Sequence, residues 1–317
     1  MKLGLIKLGK KKLLFLHAVF LIANVLVVGQ LMRSFLRPAS FIRKYPLLDA
    51  SRAYTDQKDF VINIVPLRNQ LQTLVREQDN LNISLYLEFI NTGANITINP
   101  DNQVWPASLA KLPLAIVIMK KVENGDLSLK DKLEIKDSYR DDRSGSLASK
   151  TNDTKLSVDQ LLHYLLVESD NTAQKTFLAN ITLADIQDLV DSLGLESLLN
   201  SDGKLNAREY ARLFRALYYS ALLTPKDSEY MLDLLSQAEF RDFLSTGLPQ
   251  NTKFAHKYGE DLDHQIFIDS GIVYLPNRPF SLVVMIQAKD PTQSDNRKLA
   301  IEVMRKISKV AYTYFSE

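Results

Sequence analysis

A serine and a lysine three residues apart, Ser108 and Lys111, open an apolar run in Ala107-Ser108-Leu109-Ala110-Lys111-Leu112-Pro113. On a helix, side chains at i and i+3 share a face, so the lysine amine can reach the serine hydroxyl. An amine that accepts the hydroxyl proton makes the serine a nucleophile for acyl transfer. S-x-x-K alone is a weak pattern, and Ser201-Asp202-Gly203-Lys204 repeats it in a polar stretch with a glycine and no helix to hold the pair. The Ser108 copy differs in its setting. It follows Trp105-Pro106, a helix start, and runs through Leu112, Leu114, Ala115, Ile116, Val117, Ile118 and Met119 to a stop at Asn124-Gly125. A helix apolar nearly all round belongs at the centre of a domain.

The elements that must position this pair are legible on either side of it. Apolar residues at helical spacing predict an amphipathic helix over 60–78, with Pro66 as a bend. Ile83 to Phe89 alternates with period two and turns through Asn91-Thr92-Gly93-Ala94-Asn95 into Ile96-Thr97-Ile98, a β-hairpin. From about 125 to 250 the signals are helical: Ser157, Thr182, Asn206 with Glu209, and Thr224-Pro225 each mark a helix start. The segments 253–257, 264–274 and 279–287 then read as strands, and 294–315 as a closing helix. The expected fold is α+β, a five-stranded antiparallel sheet flanked by helices, with an all-helical subdomain inserted over about 107–250.

Composition narrows the function classes. The 317 residues carry a net charge of +2, too little for a nucleic-acid footprint over the whole chain. There is no cysteine, which excludes a thiol nucleophile, thiolate metal ligands and disulfides. Four histidines without an H-E-x-x-H pattern give no metal site, and no cofactor motif is present. Residues 13–32 form an apolar run long enough to cross a bilayer, preceded by Lys2, Lys7, Lys10, Lys11 and Lys12 and by no acidic residue. The reading is a cytoplasmic basic tail over 1–12, a transmembrane anchor over 13–32, a stalk over 33–57 and an extracytoplasmic domain over 58–317. A cleaved signal peptide is the rival, but no A-x-A site ends the run.

Two further motifs follow in order. Ser169-Asp170-Asn171 lies between two predicted helices, and Lys257-Tyr258-Gly259 lies at the end of a predicted strand. A second S-D-N, Ser294-Asp295-Asn296, starts the last helix, where serine reads as an N-cap. The series S-x-x-K, S-D-N and K-T-G resembles the class A β-lactamases and penicillin-binding serine hydrolases over roughly residues 58–317. That resemblance implies the same sheet-plus-helical-insert fold and a covalent acyl-enzyme on Ser108. Lys111 would be the base, provided burial or a second cation such as Lys257 destabilises its ammonium. Ser169 would relay a proton to the departing nitrogen, Asn171 would hold the substrate amide, and Lys257 would attract its carboxylate. The backbone N–H groups of Ser108 and Glu260 would hold the oxyanion.

Two departures qualify the match. Tyr258 stands where the family has a small hydroxyl residue, which weakens recognition of a substrate carboxylate. Glu196-Ser197-Leu198-Leu199-Asn200 spells the E-x-x-L-N of an omega loop, yet Glu196 comes only two residues after the helix stop at Gly194. Glu196 is therefore either the deacylating base or a surface residue at a helix exit. The expected function is a serine hydrolase, a monomer acting on a β-lactam or a peptidoglycan-like substrate. The alternatives are a penicillin-binding or peptidase-like protein with slow deacylation, and a non-catalytic domain that binds a cell-wall fragment.

Overall fold

Alternate residues of the long central strands face two different cores, and this divides the molecule into layers. A computed structural model of the chain describes residues 17–30, 44–48, 62–152, 154–195 and 203–316. β1 (Leu81–Phe89) and β2 (Ala94–Ile98) form the expected hairpin. β3 (Lys132–Glu134) and β4 (Lys155–Ser157) pair as a small ribbon, so the insert between β2 and the later strands is not wholly helical. β5 (Lys253–Asp261), β6 (Ile266–Tyr274) and β7 (Phe280–Ala288) complete an antiparallel sheet of order β2-β1-β7-β6-β5.

On one face of the sheet Leu85, Leu87, Phe254, Phe267, Val284 and Ile286 pack against α1 (Val65–Arg76) and, beside it, the closing helix Asn296–Ser316. On the other face Ala255, Ile268, Ile272, Val283 and Met285 pack against the inserted helices. α1 is shorter than the pattern suggested, because Pro66 sits in its first turn, where a missing N–H costs nothing. Pro66 therefore starts this helix and does not bend it.

The insert is built around α2 (Lys111–Asn124), whose residues 111–119 are all buried and whose stop is Gly125 in the left-handed region at φ +82°. Around it lie α3 (Val158–Leu166), α4 (Asn171–Leu178), α5 (Leu183–Leu193), α6 (Ala207–Tyr218) and α7 (Pro225–Ser236). Ser157, Thr182 and Asn206 each close a capping box, and Thr224 accepts from the Asp227 N–H. Each such cap satisfies a helix-end donor and is worth about 1 kcal/mol. α6 lies across β7, β1 and β6 while α7 and the Ser108 turn meet β5, and α8 (Asn296–Ser316) closes the chain on the other face of the sheet.

Two short segments precede this body. Residues 17–30 of the expected anchor are helical and exposed, while 13–16 and 31–32 lie outside the described residues. Among the described residues no helix is long and apolar enough to cross a membrane. Leu47 and Leu48, in the expected stalk, are buried against the insert. The Leu47 N–H donates to Glu229 Oε2 at 2.9 Å, and the Tyr274 hydroxyl donates to the Leu47 carbonyl at 2.9 Å.

Candidate active site

Ser108 lies in a 3₁₀ turn, Ala107–Ala110, that runs directly into α2 at Lys111. In a 3₁₀ turn, side chains at i and i+3 eclipse, which is a closer approach than the α-helix predicted from the pattern. The Lys111 ammonium nitrogen stands 3.0 Å from Ser108 Oγ. The turn is pinned from both sides. The Tyr210 hydroxyl donates to the Leu109 carbonyl at 2.9 Å. β5 presses in at Gly259, where a Cβ would stand 2.8 Å from Leu109 Cδ1 and 2.9 Å from the Pro106 carbonyl. Only a residue without Cβ lets β5 pass this close to the Ser108 turn.

Lys111 is completely buried. Besides Ser108 it meets the Ser169 carbonyl at 2.5 Å, Asn171 Oδ1 at 2.7 Å and Ser169 Oγ at 3.2 Å. An ammonium has three protons for these four oxygens. To act as a base it must lose one of them, keeping two N–H donors and turning its lone pair to the Ser108 hydroxyl. Burial lowers the Lys111 pKa to about 8, with Asp170 and Asp141 opposing the shift and Arg143 adding to it. The condition set for a lysine base is therefore met by its surroundings.

Lys257 is not the solvated charge that a strand end would offer. β5 continues past it to Asp261, and the side chain is 1% exposed. Its Nζ donates to Ser169 Oγ at 2.7 Å and to the Tyr258 carbonyl at 3.1 Å. Burial first, then the neighbouring Lys111, push its proton affinity well below the ordinary lysine value, and Asp269 opposes them. Ser169 thus sits between two lysines. Its backbone occupies the left-handed region at φ +59°, a conformation that costs a non-glycine residue about 1–2 kcal/mol.

A loop that the sequence reading passed over holds Ser169 in place. The Ser144 hydroxyl donates to the Ser169 carbonyl at 2.8 Å, and Asp170 Oδ2 accepts from the Leu147 N–H at 2.8 Å. Asp141, from the same loop, is buried and receives Arg143 Nη2 at 2.6 Å, Lys175 at 2.9 Å and Asn171 Nδ2 at 3.2 Å. Arg143, above all, holds the Asp141 carboxyl far below the usual carboxylate range. Asn171 therefore gives its oxygen to Lys111 and one amide proton to Asp141, which leaves one N–H for a substrate. Behind β5, His256 Nδ1 and Asp269 Oδ1 lie 2.8 Å apart, both fully buried, and His256 Nε2 has no hydrogen-bond partner. The available signal for this pair was a histidine in β5 and the one charged residue of the apolar β6, Asp269.

The remaining expectations divide. Ser108, Lys111, Ser169, Asn171, Lys257, Tyr258 and Gly259 converge on one site, and Glu260 follows Gly259 in β5 with its side chain paired to Arg297. Glu196 lies outside the described residues, as does Ser201 of the second S-x-x-K. Asn296 of the second S-D-N is buried at the start of the closing helix and donates to the Asp290 carbonyl. Among the described residues no group of His, Asp or Glu is arranged to hold a metal ion.

The loop closes on Asp170 at Gly145, at φ +83°, where a Cβ would stand 2.4 Å from Asp170 Cα. Gly145→Ala combines overpacking with a strained backbone, and the expected loss is at least about 2 kcal/mol. Urea unfolding of the purified domain measures it, and a loss under 0.5 kcal/mol, the ordinary range for a surface change, would show that the loop does not clamp Asp170.

Comparison with known proteins agrees with this geometry. The family model described as the beta-lactamase enzyme family matches residues 66–315. The β-lactamase VEB-1 of Pseudomonas aeruginosa is 24% identical over 268 residues, covering 76% of this chain and 88% of that protein. The structure of PBP-A superposes with a TM-score of 0.70 at 23% identity, over 80% of this chain and 97% of its own. A mutant of PBP-A, solved as an acyl-enzyme complex with penicillin G, superposes at 0.69 with the same identity and coverage. With a family model spanning most of its length and the serine, lysine and S-D-N groups in one site, the chain belongs to the β-lactamase enzyme family.

Proposed function

We propose that this protein is a serine hydrolase that forms an acyl-enzyme through Ser108 with β-lactams or related amides and esters. The observation that carries the reading is the 3.0 Å contact between Ser108 Oγ and a buried Lys111 whose pKa is lowered to about 8. Ser108 Oγ attacks the carbonyl carbon and its proton passes to Lys111. The carbonyl oxygen gains charge near the backbone N–H groups of Ser108 and Glu260. The C–N bond then breaks, and the leaving nitrogen takes a proton through the Ser169 hydroxyl, which lies 3.2 Å from Lys111 and 2.7 Å from Lys257. The penicillin G adduct of the PBP-A mutant is the kind of product this sequence of steps forms.

Covalent labelling followed by mass spectrometry tests the reading. Ser108→Ala should abolish labelling by fluorophosphonates and β-lactams in a folded domain. Lys111→Ala should slow labelling by about 10² to 10⁴-fold, the usual worth of a general base. Because Lys111 must be neutral to accept the proton, the wild-type labelling rate should rise with pH and level off above about 8. A rate that is flat between pH 6 and 9, to within about 2-fold, would remove Lys111 from the role.

Release of the acyl group is the slower half of the cycle in this reading. α5 is capped at Gly194, and Leu205 pairs with Val104 just before the Ser108 turn. The ten residues between these anchors contain Glu196 and leave little length for a full omega loop. The acyl adduct should therefore accumulate and persist for minutes, and Glu196→Gln should leave its lifetime unchanged. Steady turnover of a chromogenic cephalosporin by the wild type, with the adduct trapped by Glu196→Gln, would instead make Glu196 the deacylating base.

We also propose that the domain is held at the outer face of a membrane by residues 13–32, on the strength of the basic-then-apolar amino terminus. The full-length chain should stay in the membrane pellet through a high-salt wash, with its carboxyl-terminal domain open to external protease. An intact chain recovered in the soluble fraction would exclude the anchor.

A further inference from the structure

We propose that Tyr258, clamped over Lys257 by Phe240, closes the subsite for a substrate carboxylate, so that Ser108 takes acyl donors with no negative charge beside the scissile bond. These are neutral esters and amides, or β-lactams whose carboxylate is masked. The inference rests on Ser108 as the nucleophile and adds the substrate class.

The geometry leaves Lys257 no free donor for an anion at this place. The Lys257 nitrogen donates to Ser169 Oγ and to the Tyr258 carbonyl, and its remaining face meets the Tyr258 ring, whose centroid is 4.5 Å away. A cation held by a ring face is already electrostatically satisfied. The ring is itself fixed. Phe240 stacks on it with centroids 3.7 Å apart and planes 10° from parallel, and Phe240 is in turn backed by Phe243 at 4.8 Å. The phenol end faces the hydroxyls of Ser144 and Ser169, so the side chain spans from the Phe240 wall to these two serines.

The other cation at this end of β5 is also committed. Arg297 donates through Nε to Glu260 at 2.6 Å and through Nη2 to Asp242 at 2.9 Å. A carboxylate placed here would lose its water and gain an aromatic ring in return, which is unfavourable. Burial and Lys111 already disfavour the charged form of Lys257, so the long-range attraction is weakened as well. A neutral acyl donor meets none of these costs. It needs the Ser108 turn, the Lys111 base and the one free N–H of Asn171, all of which the ring leaves in place.

Benzylpenicillin and its methyl ester are a matched pair that differs only in this charge. In the wild type the second-order acylation rate constant of the ester should exceed that of the acid by roughly 10-fold, the worth of about one charge-assisted hydrogen bond. Tyr258→Thr, which opens the subsite, should raise the acid-to-ester ratio by roughly 10- to 100-fold. Phe240→Leu, which loosens the clamp and keeps the phenol, should raise it by a smaller factor. The proposal is overturned if the wild type prefers the acid, or if both variants keep the wild-type ratio. Fluorophosphonate labelling is run alongside. Its absence in the wild type would defeat the reading of Ser108 itself. Its absence in Tyr258→Thr alone would mark a misfolded variant and leave the decision to Phe240→Leu.

Discussion

Two buried ammonium groups cannot both keep their charge around one serine hydroxyl, and the site is arranged around that constraint. Lys111 and Lys257 both reach Ser169 Oγ, at 3.2 and 2.7 Å, and neither has water to screen it. Coulomb repulsion at such separations is several kcal/mol even at an effective dielectric constant of about 20. The repulsion and the burial act in the same direction, towards a deprotonated amine. The fold supplies counter-charges at a distance: Asp170 and Asp141 on the Lys111 side, Asp269 on the Lys257 side. These limit how far each lysine is destabilised without pairing directly with either one.

Holding two such groups together takes a rigid frame, and the frame comes from three independent elements. α2 carries Lys111 through the core, the left-handed Ser169 projects from the junction of α3 and α4, and β5 brings Lys257 along the edge of the sheet. Each junction depends on a residue with no room for substitution. Gly259 allows β5 to touch the Ser108 turn, and Gly145 allows the 140–149 loop to close on Asp170. His256 and Asp269 sit directly behind β5, so the counter-charge of Lys257 is shared with a histidine that has one nitrogen unsatisfied. An unsatisfied buried donor or acceptor costs about 1–3 kcal/mol, a strain located immediately behind a reacting group.

What the sequence disclosed follows from how each feature is encoded. Local patterns carried the helices, their caps and the hairpin, because a cap such as Asn206 with Glu209 lies within one turn of chain. The three motifs disclosed Ser108, Lys111, Ser169, Asn171 and Lys257 as residue types in order, and the fold then brought them together. Contacts between distant residues left no such trace. Asp141 meets Asn171 from 30 residues away, and Phe240 meets Tyr258 from the segment between α7 and β5, with no periodicity to announce either. Tyr258 was visible as an odd residue in its motif, but not that its ring would lie over Lys257.

The Leu47-Leu48 strap changes how the lead-in to the domain should be understood. It docks at Tyr274, the end of β6 four residues beyond Ser270, which faces Lys257 across the strands. At about 3.3 Å per residue, the docking point is some 13 Å along the sheet from the catalytic end. The approaching chain is therefore fastened away from Ser169 and Lys257. Cleavage on the amino-terminal side of Tyr45 would free a domain with its strap in place. Cleavage on the carboxyl-terminal side of Leu48 would turn an intramolecular contact into a bimolecular one, and Glu229 would lose the backbone N–H groups it now receives.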